Sequence, residues 1–142
     1  MHKVVKKLDF CYGHRLLDYD GKCAHPHGHN GVLEVEIAGE TLDHRGMLYD
    51  FGDVKRRLME FVDTRLDHKM LLRKDDPLIA ALASVGEGDF IFQMDANPTA
   101  ENIAKLICLE GRNRQLPLVA VRLWETRSSY AEYRIEEPKS LK

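Results

Sequence analysis

Alternating apolar and polar residues predict two β-strands in the first part of the chain. In residues 6–14, KKLDFCYGH, the apolar face carries the even-numbered Leu8, Phe10 and Tyr12. In residues 31–39, GVLEVEIAG, the apolar face carries odd-numbered residues instead, opposite two glutamates. A period of two is typical of a strand with one buried face, because successive side chains point to opposite sides.

The spacing of apolar residues predicts two helices in the middle of the chain. From Asp50, a candidate N-cap, apolar residues recur at steps of mostly three or four. Residues 97–115, NPTAENIAKLICLEGRNRQ, predict a second helix, with Asn97 or Thr99 as its cap. The segment between them, residues 73–89, is interpreted mainly as a loop with room for a helical turn.

Two further strands are predicted at the end of the chain, in residues 117–126, PLVAVRLWET, and 129–137, SYAEYRIEE. The element order is therefore β-β-α-α-β-β. This order predicts an α+β fold, with one four-stranded antiparallel sheet covered by helices on one face. Such a sheet has two bare edges, so we expect assembly with other copies to protect them.

Length and composition narrow the class of protein. The chain has 142 residues, and we expect a single domain, 1–142. Charges of both signs are interspersed and the formal net charge is −2, which argues against nucleic acid or an anionic membrane surface as partner. No apolar run approaches the roughly 20 residues that span a bilayer, and the N-terminal residues do not resemble a signal peptide. Three widely spaced cysteines predict no disulfide framework, so we expect a cytoplasmic protein with reduced thiols.

Residues 22–30, KCAHPHGHN, concentrate one cysteine and three histidines. The parity of the second strand, extended backward, places His27 and His29 on its apolar face, about 6.7 Å apart. His14 continues the apolar face of the first strand, so a hairpin would bring it beside that pair. Three neutral imidazoles leave a tetrahedral zinc ion one open position, as in catalytic zinc sites. His25 has the same parity, but it would lie about 13 Å from His29 in an extended chain, so it joins the site only through a sharp bend.

Cys23 lies four residues before His27 and has two alternative roles. As a fourth ligand it would close the metal site and make the site structural. As a thiol beside a cation, its thiolate would be favoured and would act as a base or nucleophile. The spacing alone does not separate these alternatives. Cys108 lies among apolar helical residues and is predicted to belong to the core.

Five motifs occur along the chain in this order: FCYGH at 10–14, CAHPHGHN at 23–30, LDH at 66–68, NPTAEN at 97–102 and WET at 124–126. Together they resemble the 6-pyruvoyltetrahydropterin synthase family, which includes the bacterial 6-carboxytetrahydropterin synthases of queuosine biosynthesis. The combination of a Cys-x3-His-Gly-His motif with a later Leu-Asp-His is highly specific, and the resemblance runs from about residue 4 to residue 135.

The resemblance implies a tunnelling fold, in which β-β-α-α-β-β subunits form an oligomeric barrel. The implied assembly is a homo-oligomer, a hexamer in this family. The resemblance also implies a Zn²⁺ cofactor held by His14, His27 and His29.

Catalytic and substrate-binding residues are implied as well. Cys23 matches the family's catalytic thiol, and Asp67 with His68 matches its partner pair. A carboxylate can accept the guanidine-like pair of N–H groups of a pterin in bidentate fashion, and Glu125 matches the carboxylate with this role. The positions that match the pterin pocket are Thr99, Glu101 and Glu125.

The implied substrate is 7,8-dihydroneopterin triphosphate. Elimination of triphosphate alone gives 6-pyruvoyltetrahydropterin, whereas additional loss of acetaldehyde gives 6-carboxy-5,6,7,8-tetrahydropterin. The short Cys-x3-His spacing resembles the carboxy-forming enzymes, so we favour the second reaction. A non-catalytic zinc-stabilised binding protein is the alternative from another class, and it would use Cys23 as a metal ligand.

Tyr12 departs from the family pattern, which usually has small residues between the Phe and the His of the first motif. We expect its ring to narrow or reshape the pocket, which affects the substrate side chain that fits. Charged residues near the motifs are candidate contacts for the triphosphate: Arg15, Lys22, His25 and Arg127.

Overall fold

The computed structural model describes residues 1–136, and the predicted strand residue Glu137 lies outside this range. Within it, the chain forms an α+β fold of one sheet and three α-helices. The strands are β1 (His2–His14), β2 (His27–Gly39), β3 (Lys69–Arg73), β4 (Ile91–Met94), β5 (Ala120–Thr126) and β6 (Ser129–Arg134). The helices are α1 (Phe51–Phe61), α2 (Leu78–Ser84) and α3 (Ala100–Asn113). None of the helices in residues 1–136 is long and apolar enough to cross a membrane.

The prediction of a four-stranded antiparallel sheet is wrong. The sheet has six strands in the order β4-β3-β1-β2-β5-β6, and β3 pairs in parallel with both β1 and β4. Both missed strands are short, with five and four residues. In β3 the adjacent Leu71 and Leu72 are both fully buried, so the strand has no alternation to reveal it.

The N-terminal caps of the two long helices are among those that the sequence predicts. The Asp50 carboxylate accepts the Gly52 N–H at 2.7 Å and caps α1, which continues as a π-helical turn over Val62–Leu66. Thr99, not Asn97, caps α3, because the Thr99 hydroxyl accepts the Asn102 N–H. The segment interpreted mainly as a loop contains α2, which is seven residues long.

One face of the sheet carries the hydrophobic core. The apolar even-numbered residues of β1 and the apolar odd-numbered residues of β2 and β5 share one core with residues of α1 and α3, as the alternation predicts. Cys108 of α3 is fully buried in this core, and burial raises the pKa of its thiol. The other face carries ion pairs among the acidic and basic residues of β1, β2, β5 and β6.

Candidate active site

The β1–β2 hairpin brings distant histidines together. Its register pairs His14 with His27 and Tyr12 with His29, so all four side chains lie on the core face at one end of the sheet. The candidate ligand nitrogens of His14, His27 and His29 all lie within 4.8 Å of one another. This is the arrangement expected from strand parity, and these three residues can hold a metal ion.

Backbone carbonyls fix the tautomer of two of these rings. The Nδ1 of His14 lies 2.6 Å from the Pro98 carbonyl, and the Nδ1 of His27 lies 2.7 Å from the His25 carbonyl. A carbonyl only accepts, so each Nδ1 carries the proton and each Nε2 presents a lone pair. Such second partners are typical of metal-binding histidines.

The chemistry of the donor set fits a cation. The Nε2 atoms of His14 and His27 face each other at 3.0 Å, and two lone pairs at this distance repel unless a cation is shared between them. The Nε2 of His29 is buried and has no hydrogen-bond partner among residues 1–136. Burial lowers the pKa of His14, which favours the neutral imidazole that binds metals.

Glu125 stands beside the three histidines. Its Oε1 lies 3.8 Å from the Nε2 of His14, and its Oε2 lies 3.8 Å from the Nε2 of His29. The Tyr12 hydroxyl donates a hydrogen bond of 2.8 Å to Oε1. Burial, together with the neighbouring carboxylate, raises the pKa of Tyr12, so its hydroxyl stays a donor. Glu125 therefore lies on the same face of the sheet as the histidines, as its strand parity predicts.

Asp67 and His68 form a second group at the junction between the π-helical turn and β3. The Asp67 Oδ1 accepts the Cys11 N–H at 2.8 Å, and the Asp67 Oδ2 lies 2.7 Å from the Nδ1 of His68. Burial opposes ionisation, but these two hydrogen bonds hold the pKa of Asp67 below its ordinary value. His68 has a left-handed backbone, with φ of 57°, and its side chain is 76% exposed. A carboxylate that binds Nδ1–H orients the imidazole and leaves Nε2 free to accept a proton.

Two cavities share His29 in their lining. One, of about 640 Å³, is lined by His27, His29 and His68, with Met70 and Phe90 supplying apolar walls. The other, of about 540 Å³, is lined by His29 and Glu125, with Trp124 and Arg127 beside them. Two histidines of the cluster, His27 and His29, therefore line the first cavity together with His68, and His29 also lines the second together with Glu125.

Other predicted site residues lie apart from this group. Cys23 is half-buried on a short 3-10 turn of the β1–β2 loop, and within residues 1–136 it is not part of the histidine cluster that could hold a metal ion. The Thr99 hydroxyl is occupied as the helix cap, although the preceding Pro98 carbonyl reaches His14. Glu101 is exposed in the first turn of α3.

The candidate triphosphate contacts have different surroundings. The Arg15 guanidinium is bound to the buried carboxylate of Asp76, which leaves it little freedom to bind a ligand. Lys22 and His25 are exposed on the β1–β2 loop. Arg127 lines the cavity of Glu125 and forms no ion pair among the described residues.

Sequence reasoning missed two partners of the site. The first is the backbone carbonyl of Pro98, which no side-chain pattern marks. The second is the hydrogen bond between Tyr12 and Glu125, although strand parity offered a signal because Tyr12 shares the face of His14.

Comparisons with known proteins identify the family. Residues 3–136 match the family described as 6-pyruvoyl tetrahydropterin synthase. The 6-carboxy-5,6,7,8-tetrahydropterin synthase of Rickettsia typhi is 34% identical over 141 residues, covering 93% of this chain and 99% of the relative. The enzyme of the same name from Haemophilus influenzae is 31% identical over 139 residues, covering 94% of this chain and 99% of the relative.

Solved structures have the same fold. An uncharacterized protein from Wolinella succinogenes has a TM-score of 0.84 at 25% identity, over 95% of this chain and 98% of that one. The 6-pyruvoyl tetrahydropterin synthase of Caenorhabditis elegans has a TM-score of 0.72 at 25% identity, over 95% of this chain and 96% of that one. Because the family match and the relatives both extend over nearly the whole chain, the chain belongs to the 6-pyruvoyl tetrahydropterin synthase family.

Proposed function

We propose that the protein is a zinc-dependent lyase that converts 7,8-dihydroneopterin triphosphate into 6-carboxy-5,6,7,8-tetrahydropterin in the queuosine pathway. One water is consumed, and triphosphate and acetaldehyde are the other products. The observation that carries the proposal is the group of three imidazoles with a carboxylate beside them, of which His27, His29 and Glu125 line cavities. Relatives that match this chain over nearly its whole length and are named as 6-carboxy-5,6,7,8-tetrahydropterin synthases support the choice of product.

His14, His27 and His29 are the proposed zinc ligands. The free lone pairs of His14 and His27 and the orphaned Nε2 of His29 suit an ion that prefers nitrogen ligands. Zinc bound there supplies Lewis acidity to an oxygen of the substrate side chain.

Glu125 is the proposed anchor for the pterin ring. Its carboxylate lines a cavity next to His29, so a ring bound to it would direct its side chain toward the histidines. The 2-amino group and the ring N–H donate in parallel, which matches the two oxygens of a carboxylate. Thr99 and Glu101, in the first turn of α3 next to the Pro98 carbonyl, are proposed to contribute to the same pocket.

Cys23, Asp67 and His68 are proposed to move protons. The reaction needs protons taken from and returned to carbon atoms of the side chain, and a thiolate and an imidazole are suited to this. His68 has its Nδ1 bound to Asp67, which leaves Nε2 to act on the substrate. Cys23 lies outside the histidine cluster, which supports a role as base and not as a fourth ligand.

We also propose that the protein works as a homo-oligomeric barrel, a hexamer, in the cytoplasm. The two outer strands, β4 and β6, each leave one edge unpaired in the sheet of the single chain. Edges of this kind are sites for pairing with further copies. The three free cysteines suit a reducing compartment.

A product assay tests the proposed reaction. The zinc-loaded protein is incubated with 7,8-dihydroneopterin triphosphate, and triphosphate and acetaldehyde are measured together. Equal amounts of both support the carboxy product. Triphosphate without acetaldehyde would assign the pyruvoyl product instead, and the absence of both would refute the enzyme.

The variant Cys23→Ala tests the division between ligand and base. We expect it to keep its zinc and its oligomeric state, and to lose turnover by about 10²–10⁴-fold, the range of a lost acid–base group. Cys108→Ala, at a buried position of the core, is the control for removal of a thiol. Loss of zinc from the Cys23 variant would show that the thiol is a ligand and would favour a structural zinc site.

A further inference from the structure

We infer that Tyr12 is a positioning residue, whose hydroxyl holds the Glu125 carboxylate in the orientation that receives the pterin ring. The inference rests on the proposed function, because it concerns the proposed anchor.

The hydroxyl of Tyr12 has a single carboxylate partner, and the ring that carries it has little freedom. Its side chain is only 3% exposed, and the ring stacks on Phe10 with centroids 5.0 Å apart. It also meets His14 edge to face at 5.2 Å. With the ring confined in this way, its Oη is held 2.8 Å from the Oε1 of Glu125. Because packing already fixes the ring of Tyr12, the hydrogen bond restrains the orientation of the Glu125 carboxylate.

Gly31 gives independent support for a built-in place for this ring. A Cβ at Gly31 would lie 3.0 Å from the Cε1 of Tyr12 and 3.3 Å from the Cε1 of Phe10. Contacts this short are tighter than ordinary van der Waals packing, so a side chain at Gly31 would displace the rings. Glycine weakens a strand interior, and close approach of other atoms is a usual reason for it. Glycine at position 31 therefore leaves the space that the ring of Tyr12 needs.

The restraint matters because Glu125 has competing partners. Its two oxygens lie 3.8 Å from the Nε2 atoms of His14 and His29, which are the proposed ligands of a cation. An unrestrained carboxylate would turn toward that charge. The hydroxyl of Tyr12 occupies one lone pair of Oε1 and leaves both oxygens with lone pairs for the N–H groups of the pterin. The hydrogen bond from Tyr12 thus keeps the Glu125 carboxylate oriented to accept the N–H groups of the pterin.

A double-mutant cycle on the binding of neopterin tests the inference. Tyr12→Phe removes only the hydroxyl, and we expect it to raise the Kd for neopterin by about tenfold, at the lower end for a hydrogen bond to a charged group. In a Glu125→Ala background, the same change is expected to alter the Kd by less than about twofold, because it acts through the missing carboxylate. Tyr133→Phe, at a half-buried tyrosine that lines neither cavity, is the matched control.

Kinetics and crystallography supply two further readouts. We expect Tyr12→Phe to raise KM with little change in kcat, because the anchor holds the ring equally in the ground and transition states. A crystal structure of the variant is expected to show the Glu125 carboxylate turned from its wild-type position.

Three results would overturn the inference: an unchanged Kd in Tyr12→Phe, an equal loss of affinity in both backgrounds, or an unmoved carboxylate in the crystal structure. Wild-type protein that releases no product would refute the proposed reaction. The crystal structures of the wild type and of Tyr12→Phe would still decide whether the hydroxyl positions Glu125.

Discussion

Asp67 makes two hydrogen bonds with different consequences, and two substitutions can separate them. Its Oδ1 accepts the Cys11 N–H and holds β1 against the start of β3, whereas its Oδ2 holds the Nδ1 of His68. Asp67→Asn keeps an oxygen for Cys11 but presents an NH₂ group to His68. Asp67→Ala removes both acceptors.

The magnitudes follow from these contacts. In Asp67→Asn, the NH₂ group only donates, so Nδ1 of His68 must become the acceptor and the proton moves to Nε2. His68 can then no longer accept a proton at Nε2, and we expect turnover to fall by about 10²–10⁴-fold. The free energy of unfolding should fall by less than about 1 kcal/mol, since the bond to Cys11 survives. Asp67→Ala should cost about 1–2 kcal/mol, the lower part of the range for an orphaned N–H, because the Asp67 side chain is 28% exposed.

Urea unfolding and steady-state turnover of both variants check this prediction. The control is Asp63→Asn, the same chemical change at an exposed carboxylate of the π-helical turn. The reasoning would be refuted if Asp67→Asn kept turnover within about threefold of the wild type, well short of an acid–base contribution. Equal loss of stability in the Asn and Ala variants would refute the assignment of the Cys11 bond.

Two further predictions concern pH and metal. Burial raises the pKa of Glu36, but hydrogen bonds from Arg122 and Arg134 outweigh it and hold the pKa below its ordinary value of 4.5. The folded state therefore binds fewer protons than the unfolded state, so this stabilisation is present above pH 4.5 and is lost as the pH falls below it. Glu36→Gln should be less stable than the wild type at pH 7 by about 1–3 kcal/mol. Urea unfolding at several pH values should show this difference in stability shrinking in acid. A difference that stays constant with pH would contradict the assignment to the Glu36 carboxylate. Chelation should lower the Tm, and added zinc should restore the Tm because the ion binds only the folded site. His27→Ala should abolish this response to zinc. A full response in that variant would show that the histidines do not hold the ion.

The sequence by itself predicts the hairpin and the three histidines that could hold a metal ion. Alternation in β1 and β2 fixes which residues face the core, and the same parity puts His14, His27 and His29 on that face. A helix cap such as Asp50 is also readable, because it depends on residues two or three positions away. These features are local, or they follow from one antiparallel pairing with a constant period.

Tertiary structure alone decided the features that join distant segments. Leu71 and Leu72 of β3 are buried on both faces of the sheet, so no periodicity marks the strand. The hydroxyl of Tyr12 meets Glu125 at a separation of 113 positions, and the Pro98 carbonyl meets His14 at a separation of 84. Parity gives the side of a strand on which a residue lies, whereas these bonds depend on how strands and helix ends are placed in three dimensions. The polar partners that set the chemistry of the site are therefore products of packing.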